Sequence, residues 1–258
     1  MIDLHAHILP GLDDGPPATE GSIAMAKAAL DAGTKVMAAT SHINRSFALQ
    51  PSQLTAARMG LREQLRAFGL PLDVVQGGEI AAGRAQSMDD GELRELTLGG
   101  GPWLLLECPL SPQAASIGPL VGELHMRGFR VLLAHPERSP SFQRGPEQLV
   151  RLVDEGALAQ VTSGAFAGHF GDLPRRTAFR MLERGLVHVL ASDGHDAVHR
   201  GPDLLEARPA IAKRYEDAEA QLTWMAELAP AAVLAGTALP ERPPVVRRTR
   251  RGLGRFRA

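Results

Sequence analysis

Residues 120–138 read LVGELHMRGFRVLLAHPER. The apolar spacing of Leu120–Met126 predicts a helix, Gly128 ends it, and Val131–Ala134 is a short apolar run that predicts a strand. A glycine between a helix and a strand is typical of the loop that returns the chain to a parallel sheet. His135 follows the strand directly, so a side chain able to bind a metal stands at the carboxyl end of this strand.

The same unit of helix, glycine and strand recurs along the chain. The predicted strands are Ile2–Leu4, Val36–Ala39, Leu72–Val75, Trp103–Leu106, Val131–Ala134, Leu158–Val161 and Val187–Ala191. Their alternation with helical segments indicates parallel strands joined by crossover helices. At 258 residues, a closed α/β barrel is favoured over an open doubly wound sheet. No G-x-G-x-x-G follows the first strand, which disfavours a dinucleotide-binding domain.

The composition is that of a globular protein with nearly balanced charge. Hydrophobic residues make up 44% of the chain, and 28 basic residues stand against 29 acidic ones. The net charge of -1 argues against a protein that mainly coats nucleic acid or an anionic membrane. No apolar run reaches the roughly 18 residues of a membrane span, so no membrane insertion is expected. The single cysteine, Cys108, and an opening without signal-peptide character favour the cytoplasm.

The last residues differ from the rest in composition. Prolines accumulate from about Leu239, and an arginine series without acidic residues follows: Arg247, Arg248, Arg250, Arg251, Arg255 and Arg257. We expect residues 1–239 to form the folded domain and residues 240–258 to form a disordered, Pro/Arg-rich basic tail. Solvation of this tail is favoured over contact with nucleic acid or an acidic partner.

Polar side chains that can bind metals follow almost every predicted strand. They are His5, His7 and the pair Asp13 and Asp14 after the first strand, then His42, Glu79, Glu107 and His135, and finally Asp193 and His195. In a barrel of parallel strands, all of these positions lie at the carboxyl-terminal rim, where such barrels carry their active sites. Each residue alone has a common structural explanation; Asp14, for example, could cap the following helix. Their joint occurrence at successive strand ends favours a functional site.

The residue types in this set favour a metal centre. His5 and His7 are two positions apart, so both rings lie on one side of an extended segment and can reach one cation. Imidazoles combined with carboxylates, without thiolates, suit Mn²⁺, Fe²⁺ or Zn²⁺. Several carboxylates allow bridging between ions, as a multinuclear hydrolytic site requires. Such a site lowers the pKa of bound water to about 7 and neutralises phosphate oxygens.

These motifs resemble a known family. Residues 1–15, MIDLHAHILPGLDDG, resemble the opening of proteins with the PHP (polymerase and histidinol phosphatase) domain. More narrowly, the chain resembles the bacterial manganese-dependent protein-tyrosine phosphatases of the CpsB/YwqE type, from capsule and exopolysaccharide operons. Further matches are GGEI at 77–80, LLECP at 105–109, LAHPER at 133–138 and VLASDGH at 189–195. The resemblance runs in order from Met1 to about Leu239.

The resemblance implies a distorted (β/α)7 TIM-like barrel, the PHP phosphatase domain, with three divalent ions at its rim, Mn²⁺ first and Fe or Zn as alternatives. It implies one ion on His5, His7, Glu79 and Asp193, a second on Glu79, Glu107 and His135, and a third on Asp14, His42 and His195. The choice of Asp14 over Asp13 rests on the family pattern alone. The pattern also assigns phosphate contacts to Arg138 and Arg200.

The implied reaction is hydrolysis of phosphotyrosine by a metal-bridging hydroxide, on a bacterial tyrosine autokinase of polysaccharide export. The alternative within phosphoesterases is a histidinol-phosphate phosphatase of the PHP type.

Other classes of protein are less well supported. An amidohydrolase would require a lysine that bridges the metals, and no lysine follows a predicted strand. A module without catalysis, binding through its tail, is a further alternative. No Cys-x5-Arg motif surrounds Cys108, which excludes the cysteine-phosphatase mechanism. The oligomeric state stays open.

Overall fold

The computed structural model describes residues 1–111 and 116–248. Its strands are β1 (Ile2–Ala6), β2 (Val36–Ala39), β3 (His42–Ile43), β4 (Asp73–Val75), β5 (Glu79–Ala81), β6 (Trp103–Glu107), β7 (Arg130–Ala134), β8 (Leu158–Thr162) and β9 (Val189–Ala191). Its α-helices are α1 (Thr19–Asp31), α2 (Pro51–Ala67), α3 (Ala82–Ala85), α4 (Asp90–Glu95), α5 (Gly118–Met126), α6 (Pro140–Arg144), α7 (Pro146–Asp154), α8 (Ser163–Ala167), α9 (Asp172–Glu183), α10 (Arg208–Ala212), α11 (Ala218–Thr223) and α12 (Ala229–Ala235). Short 3-10 turns at Leu98–Gly100, Pro136–Arg138 and Leu204–Ala207 and a π-helical turn at Trp224–Leu228 complete the set. Among these described segments, no helix is both long and apolar enough to cross a bilayer.

The strands form two parallel sheets, and the predicted α/β class is confirmed. One sheet has the order β1-β2-β4, and the other has the order β3-β5-β6-β7-β8-β9. The predicted closed barrel is not found among the described residues. The second and third expected strands end as predicted, at Ala39 and Val75, but each is followed by a short strand that was not predicted, β3 and β5, and these two belong to the other sheet. A Cβ atom on Gly77 would approach Thr40 Cγ2 to 2.9 Å, so the segments that join β2 to β3 and β4 to β5 pack directly against each other.

The first and last strands meet through a few specific contacts. His7 N donates to Gly194 O and Asp193 N donates to His5 O, each at 2.8 Å. The buried carboxylate of Asp3 accepts hydrogen bonds from the hydroxyl and the backbone N–H of Ser192. Burial raises the pKa of Asp3 to about 6, against the opposing effect of the Ser192 hydrogen bond. This carboxylate therefore ties β1 to the segment that follows β9.

The core explains why the polar residues point to one end. An inner cluster contains alternate residues of neighbouring strands, among them Leu105 of β6, Leu158 of β8 and Val189 of β9. Because side chains alternate along a strand, the next inward positions in β6 and β8 are Glu107 and Gln160. In these two strands the apolar floor thus passes directly into polar side chains at the carboxyl end.

Residues 240–248 pack on the body of the protein, where disorder was expected. Trp224 Nε1 donates to Pro240 O at 3.1 Å, and Gln221 Nε2 donates to Pro243 O at 2.8 Å. Arg247 pairs with Tyr215 in an antiparallel bridge and forms a salt bridge with Glu183. Proline carbonyls that meet side-chain donors hold this part of the segment in place. The remainder of the expected tail, residues 249–258, lies outside the described residues.

His188 makes the stability of this fold depend on pH. Its ring is buried between β8 and β9, and Nδ1 accepts the backbone N–H of Ala159 at 3.1 Å. Burial, followed by the charge of Arg242, lowers the pKa of His188 to about 4. The neutral ring therefore stabilises the fold fully above the ordinary histidine pKa of about 6.5, and this contribution is lost as the pH falls toward 4.

We predict that His188→Asn flattens the acid limb of the stability curve. Between pH 7 and pH 5, the free energy of unfolding of the wild type should fall by about 2 kcal/mol more than that of the variant, because Asn does not titrate. Urea unfolding at both pH values measures the difference. His199→Asn, at an exposed histidine, should follow the wild type. Parallel curves for the wild type and His188→Asn would contradict the prediction.

Candidate metal centre

The structure brings all nine predicted metal-site residues together at the carboxyl ends of the strands. They fall into four overlapping groups: His7, Asp14, His42 and His195; His5, His7 and Asp193; His5, Glu79 and His135; and His42, Glu79 and Glu107. Within each group, the candidate ligand atoms lie within 4.8 Å of one another. The shared members make the four groups one continuous cluster. The assignment of these side chains as metal ligands stays a prediction.

The spacing of the innermost donors fits a metal ion. His5 Nε2 lies 3.3 Å from His7 Nε2, 3.3 Å from Glu79 Oε2 and 3.5 Å from Asp193 Oδ1. His7 Nε2 lies 3.4 Å from Glu79 Oε2 and 3.5 Å from Asp193 Oδ1. With metal–ligand bonds of about 2.1 Å, the edges of a coordination tetrahedron measure about 3.4 Å. These five distances, between donors from three segments of the chain, therefore match the spacing expected around one ion.

Hydrogen bonds on the far side of each ring leave the inward nitrogen free to bind a metal. His5 Nδ1 lies 3.0 Å from Gln160 Oε1, and His7 Nδ1 lies 2.8 Å from Asp13 Oδ2. His195 Nδ1 lies 2.9 Å from the backbone oxygen of Asp193. Each of these oxygens accepts the Nδ1 proton, so Nε2 is the nitrogen that faces the cluster. This arrangement of outer partners is the one that fixes metal-binding histidines.

Glu79 is the central carboxylate of the cluster. Its Oε1 lies 2.7 Å from His135 Nε2, and its Oε2 lies 2.8 Å from His42 Nδ1. The contact between Glu79 Oε2 and His42 Nδ1 does not have the geometry of a hydrogen bond, and Glu79 Oε2 is buried without a hydrogen-bond partner. Burial would raise the pKa of Glu79, but the charge of His5 leads the effects that hold it well below its usual range. A buried, ionised oxygen facing several imidazoles without a hydrogen bond fits a ligand shared between cations.

The other ionisable groups carry shifts of both signs. Burial would lower the pKa of His5, but the charges of Glu79 and Asp193 raise it above the ordinary value. Burial, with the charge of His7, lowers the pKa of His195 to about 4, so this ring is neutral at pH 7 and able to act as a ligand. Burial and the charge of Glu79 raise the pKa of Glu107.

The structure separates the roles of the neighbouring Asp13 and Asp14. Asp13 accepts the His7 ring proton and the backbone N–H groups of His42 and Gly15, at 2.8 to 3.0 Å. Burial would raise the pKa of Asp13, but the hydrogen bond and charge of His7 and the two backbone N–H groups together lower it to about 2. Asp14 Oδ1 instead faces the ring nitrogens of His195 at 3.3 Å and His42 at 3.6 Å. Asp13 positions ligands, whereas Asp14 offers a free oxygen to the cluster.

The two predicted arginines meet on one oxygen of Asp193. Arg138 Nη1 lies 2.6 Å from Asp193 Oδ2, and Arg200 Nη2 lies 2.9 Å from the same atom. The Arg138 guanidinium also stacks on the ring of Phe170, 4.5 Å from its centroid. Asp193 therefore directs Oδ1 at the imidazoles and Oδ2 at two guanidinium groups. The arrangement places two cations beside the cluster, where a phosphate dianion can bind.

Sequence reasoning missed Gln160 and the positioning role of Asp13. Gln160 Oε1 accepts from the His5 ring and from the backbone N–H of His135, at 3.0 and 3.2 Å. A signal for Gln160 exists in the sequence, because it is the polar residue within the otherwise apolar run Leu158–Val161. Asp13 carries no such signal, since its hydrogen bonds depend on the folded loop.

The fold and the cluster together define a parallel α/β protein with a multinuclear set of candidate metal ligands at its strand ends. Over residues 1–231, the sequence matches the family described as Capsular polysaccharide synthesis, CpsB/CapC. The chain belongs to this family, and the family predicted from the motifs is confirmed.

Relatives and a solved structure agree with this assignment. Tyrosine-protein phosphatase YwqE of Bacillus subtilis (strain 168) is 33% identical over 216 residues, which cover 83% of this chain and 85% of the relative. Tyrosine-protein phosphatase CpsB of Streptococcus pneumoniae is 29% identical over 222 residues, covering 83% and 91%. A crystal structure from work on YwqE and CpsB, described as unique metal-dependent tyrosine phosphatases, matches with a TM-score of 0.82 at 31% identity. It covers 97% of this chain and 100% of its own.

The separation of Asp13 from Asp14 predicts different effects on metal binding. Asp14→Asn should reduce the number of bound Mn²⁺ ions by one per chain, because a free ligand oxygen loses its charge. Asp13→Asn should keep the number of ions but weaken binding about 10- to 100-fold, as loss of an outer hydrogen bond to a ligand does. Elemental analysis and calorimetric titration of chelator-stripped protein measure the two quantities. An unchanged ion count in Asp14→Asn would contradict its assignment as a ligand.

Proposed function

We propose that this chain is a metal-dependent phosphomonoesterase that hydrolyses phosphotyrosine in proteins, with a tyrosine kinase of capsule or exopolysaccharide synthesis as its substrate. The observation that carries the proposal is the set of metal-like spacings among His5, His7, Glu79 and Asp193, joined through Asp193 to two arginines. The family and the names of its tyrosine phosphatase relatives support the choice of substrate.

The proposal assigns the cluster to three divalent ions, with Mn²⁺ favoured over Fe and Zn. By the family pattern, the first would be held by His5, His7, Glu79 and Asp193, the second by Glu79, Glu107 and His135, and the third by Asp14, His42 and His195, all of them members of the cluster. When bound, such ions supply Lewis acidity toward phosphate oxygens and lower the pKa of water. The mixture of imidazoles and carboxylates supports hard or borderline divalent ions.

The residues of the chain bind and orient the ester. Arg138 and Arg200 donate to the phosphate oxygens, and their common contact with Asp193 holds both guanidinium groups on one side of the cluster. Such donors stabilise the charge that develops on the equatorial oxygens in the transition state. Gln160 and Asp13 keep the imidazole rings in the orientation that ligands require. The side chain of Asp14 is 50% exposed, so substrate reaches the cluster from this side.

We also propose that the two sheets act as one distorted seven-stranded barrel. Counting β2 with β3, and β4 with β5, gives seven strand positions. The bridge between Ala6 and Gly194 and the contact of Asp3 with Ser192 support closure between the first and last positions. In this arrangement the cluster lies at the carboxyl-terminal rim. The proposal places the enzyme in the cytoplasm, with its kinase substrate.

Metal dependence and substrate class can be tested together. Chelator-stripped protein should release no phosphate, and reconstitution with Mn²⁺ should restore release from a phosphotyrosine peptide. Histidinol phosphate, assayed in parallel, should be hydrolysed far more slowly. Release from histidinol phosphate alone would replace the proposal with the alternative phosphatase. Peptide hydrolysis that survives the chelator would exclude the metal mechanism.

The role of Arg200 predicts a selective loss of activity. Arg200→Ala should lower kcat/KM for the phosphotyrosine peptide about 100-fold, as removal of one transition-state donor does, while metal content stays unchanged. Arg62→Ala provides a matched control, because Arg62 forms a comparable salt bridge with Asp73 away from the cluster. Cys108→Ala should also retain activity, because this buried thiol has no catalytic role in the proposal. Wild-type kinetics for Arg200→Ala would contradict the phosphate-binding role and leave Arg200 with a structural salt bridge only.

A further inference from the structure

Arg200 lines two separate clefts. The first, which we call the proline cleft, has a volume of about 300 Å³ and is lined by Asp14, Gly15, Pro16, Pro17, Gly21, Ala24, His195, Asp196, Ala197 and Arg200. The second, the polar cleft, has a volume of about 220 Å³ and is lined by Thr162, Gly164, His169, Phe170, Ser192, Asp193, His199, Arg200, Gly201 and Glu206. Both clefts lead to the predicted phosphate site, and they differ in chemistry.

The proline cleft joins an apolar wall to the cluster. Its wall consists of small or rigid residues, including Pro16, Pro17 and Ala24, and its inner end is formed by Asp14 and His195. Small side chains leave the space open. The same cleft is therefore lined both by apolar residues and by two candidate metal ligands, Asp14 and His195.

The polar cleft is already occupied by interactions among its own residues. Glu206 accepts a hydrogen bond from the Ser163 hydroxyl at 2.7 Å and lies 3.3 Å from His169 Nδ1. An aromatic ring placed there would remove water from these polar groups without replacing its hydrogen bonds, which is unfavourable. The aromatic residue of this cleft, Phe170, is already covered by the Arg138 guanidinium, so the cleft of the prolines is the more favourable direction for an aromatic group attached to the bound phosphate.

We propose that the proline cleft binds the phenol ring of the substrate and selects aryl over alkyl phosphomonoesters. The inference rests on the proposed phosphatase function and names the part of the site that recognises the leaving group. With the phosphate held by Arg138 and Arg200, the ring lies against Pro16, Pro17 and Ala24. Its apolar faces are buried there, next to Asp14 and His195.

Binding of phosphonates to the metal-loaded enzyme tests this cleft without turnover. Phenylphosphonate should bind at least about 10-fold more tightly than methylphosphonate, because the ring adds apolar contact in a preformed cleft. Ala24→Trp should remove this preference by filling the cleft, while methylphosphonate affinity and metal content stay within twofold of the wild type. Ala197→Phe fills the same cleft from the other side and provides a second variant. His169→Trp, in the polar cleft, is the matched control and should keep the preference.

Kinetics then separate this inference from the function on which it rests. Ala24→Trp should lower the ratio of kcat/KM for phosphotyrosine to phosphoserine peptides by at least about 10-fold. Equal affinities for the two phosphonates in the wild type would overturn the cleft assignment. So would a preference that survives Ala24→Trp and Ala197→Phe, or one that only His169→Trp removes. A phenyl preference without phosphotyrosine hydrolysis would retain the cleft and overturn the proposed function instead.

Discussion

The carboxylates of Glu79 and Asp193 are at most 3% exposed, and the rest of the site depends on compensating their charge. Burying an ionised carboxylate is costly unless an opposite charge lies close to it. In the chain itself, His5 and His7 supply that charge, and their pKa values are raised despite burial. A divalent ion would supply the same compensation, because it carries two positive charges and is much smaller than an imidazole ring. The requirement for compensation explains why so many donors from distant segments meet at one point.

Asp193 links the candidate metal ligands to the two arginines. One of its oxygens faces the two imidazoles, and the other holds Arg138 and Arg200. A displacement of this carboxylate would move the candidate ligand set and both guanidinium groups together. Its backbone has a φ of 51°, in the left-handed region that few residues other than glycine adopt. This backbone conformation directs the Asp193 carboxylate back toward the cluster.

The sequence predicts the location of the candidate site, at the carboxyl ends of the strands, better than it predicts how the strands are arranged in sheets. Parallel strands place their carboxyl ends together, so the polar residues that follow each apolar run had to meet. The two additional strands β3 and β5 and the division into two sheets could not be predicted, because they depend on the fit of Gly77 against Thr40 across the fold. Asp13 and Asp14 were indistinguishable for the same reason. Only in the folded loop is it visible that Asp13 accepts hydrogen bonds from its neighbours, whereas Asp14 keeps a free oxygen.

The bond between Asp3 and Ser192 joins positions 189 residues apart, and it has a consequence for the newly made protein. A ribosome adds about 5 to 20 residues per second, so the first histidines wait about 10 to 40 s before Asp193 is synthesised. During that time the inner donor set lacks the carboxylate of Asp193, so the four innermost donors come together only after the last strand has been made.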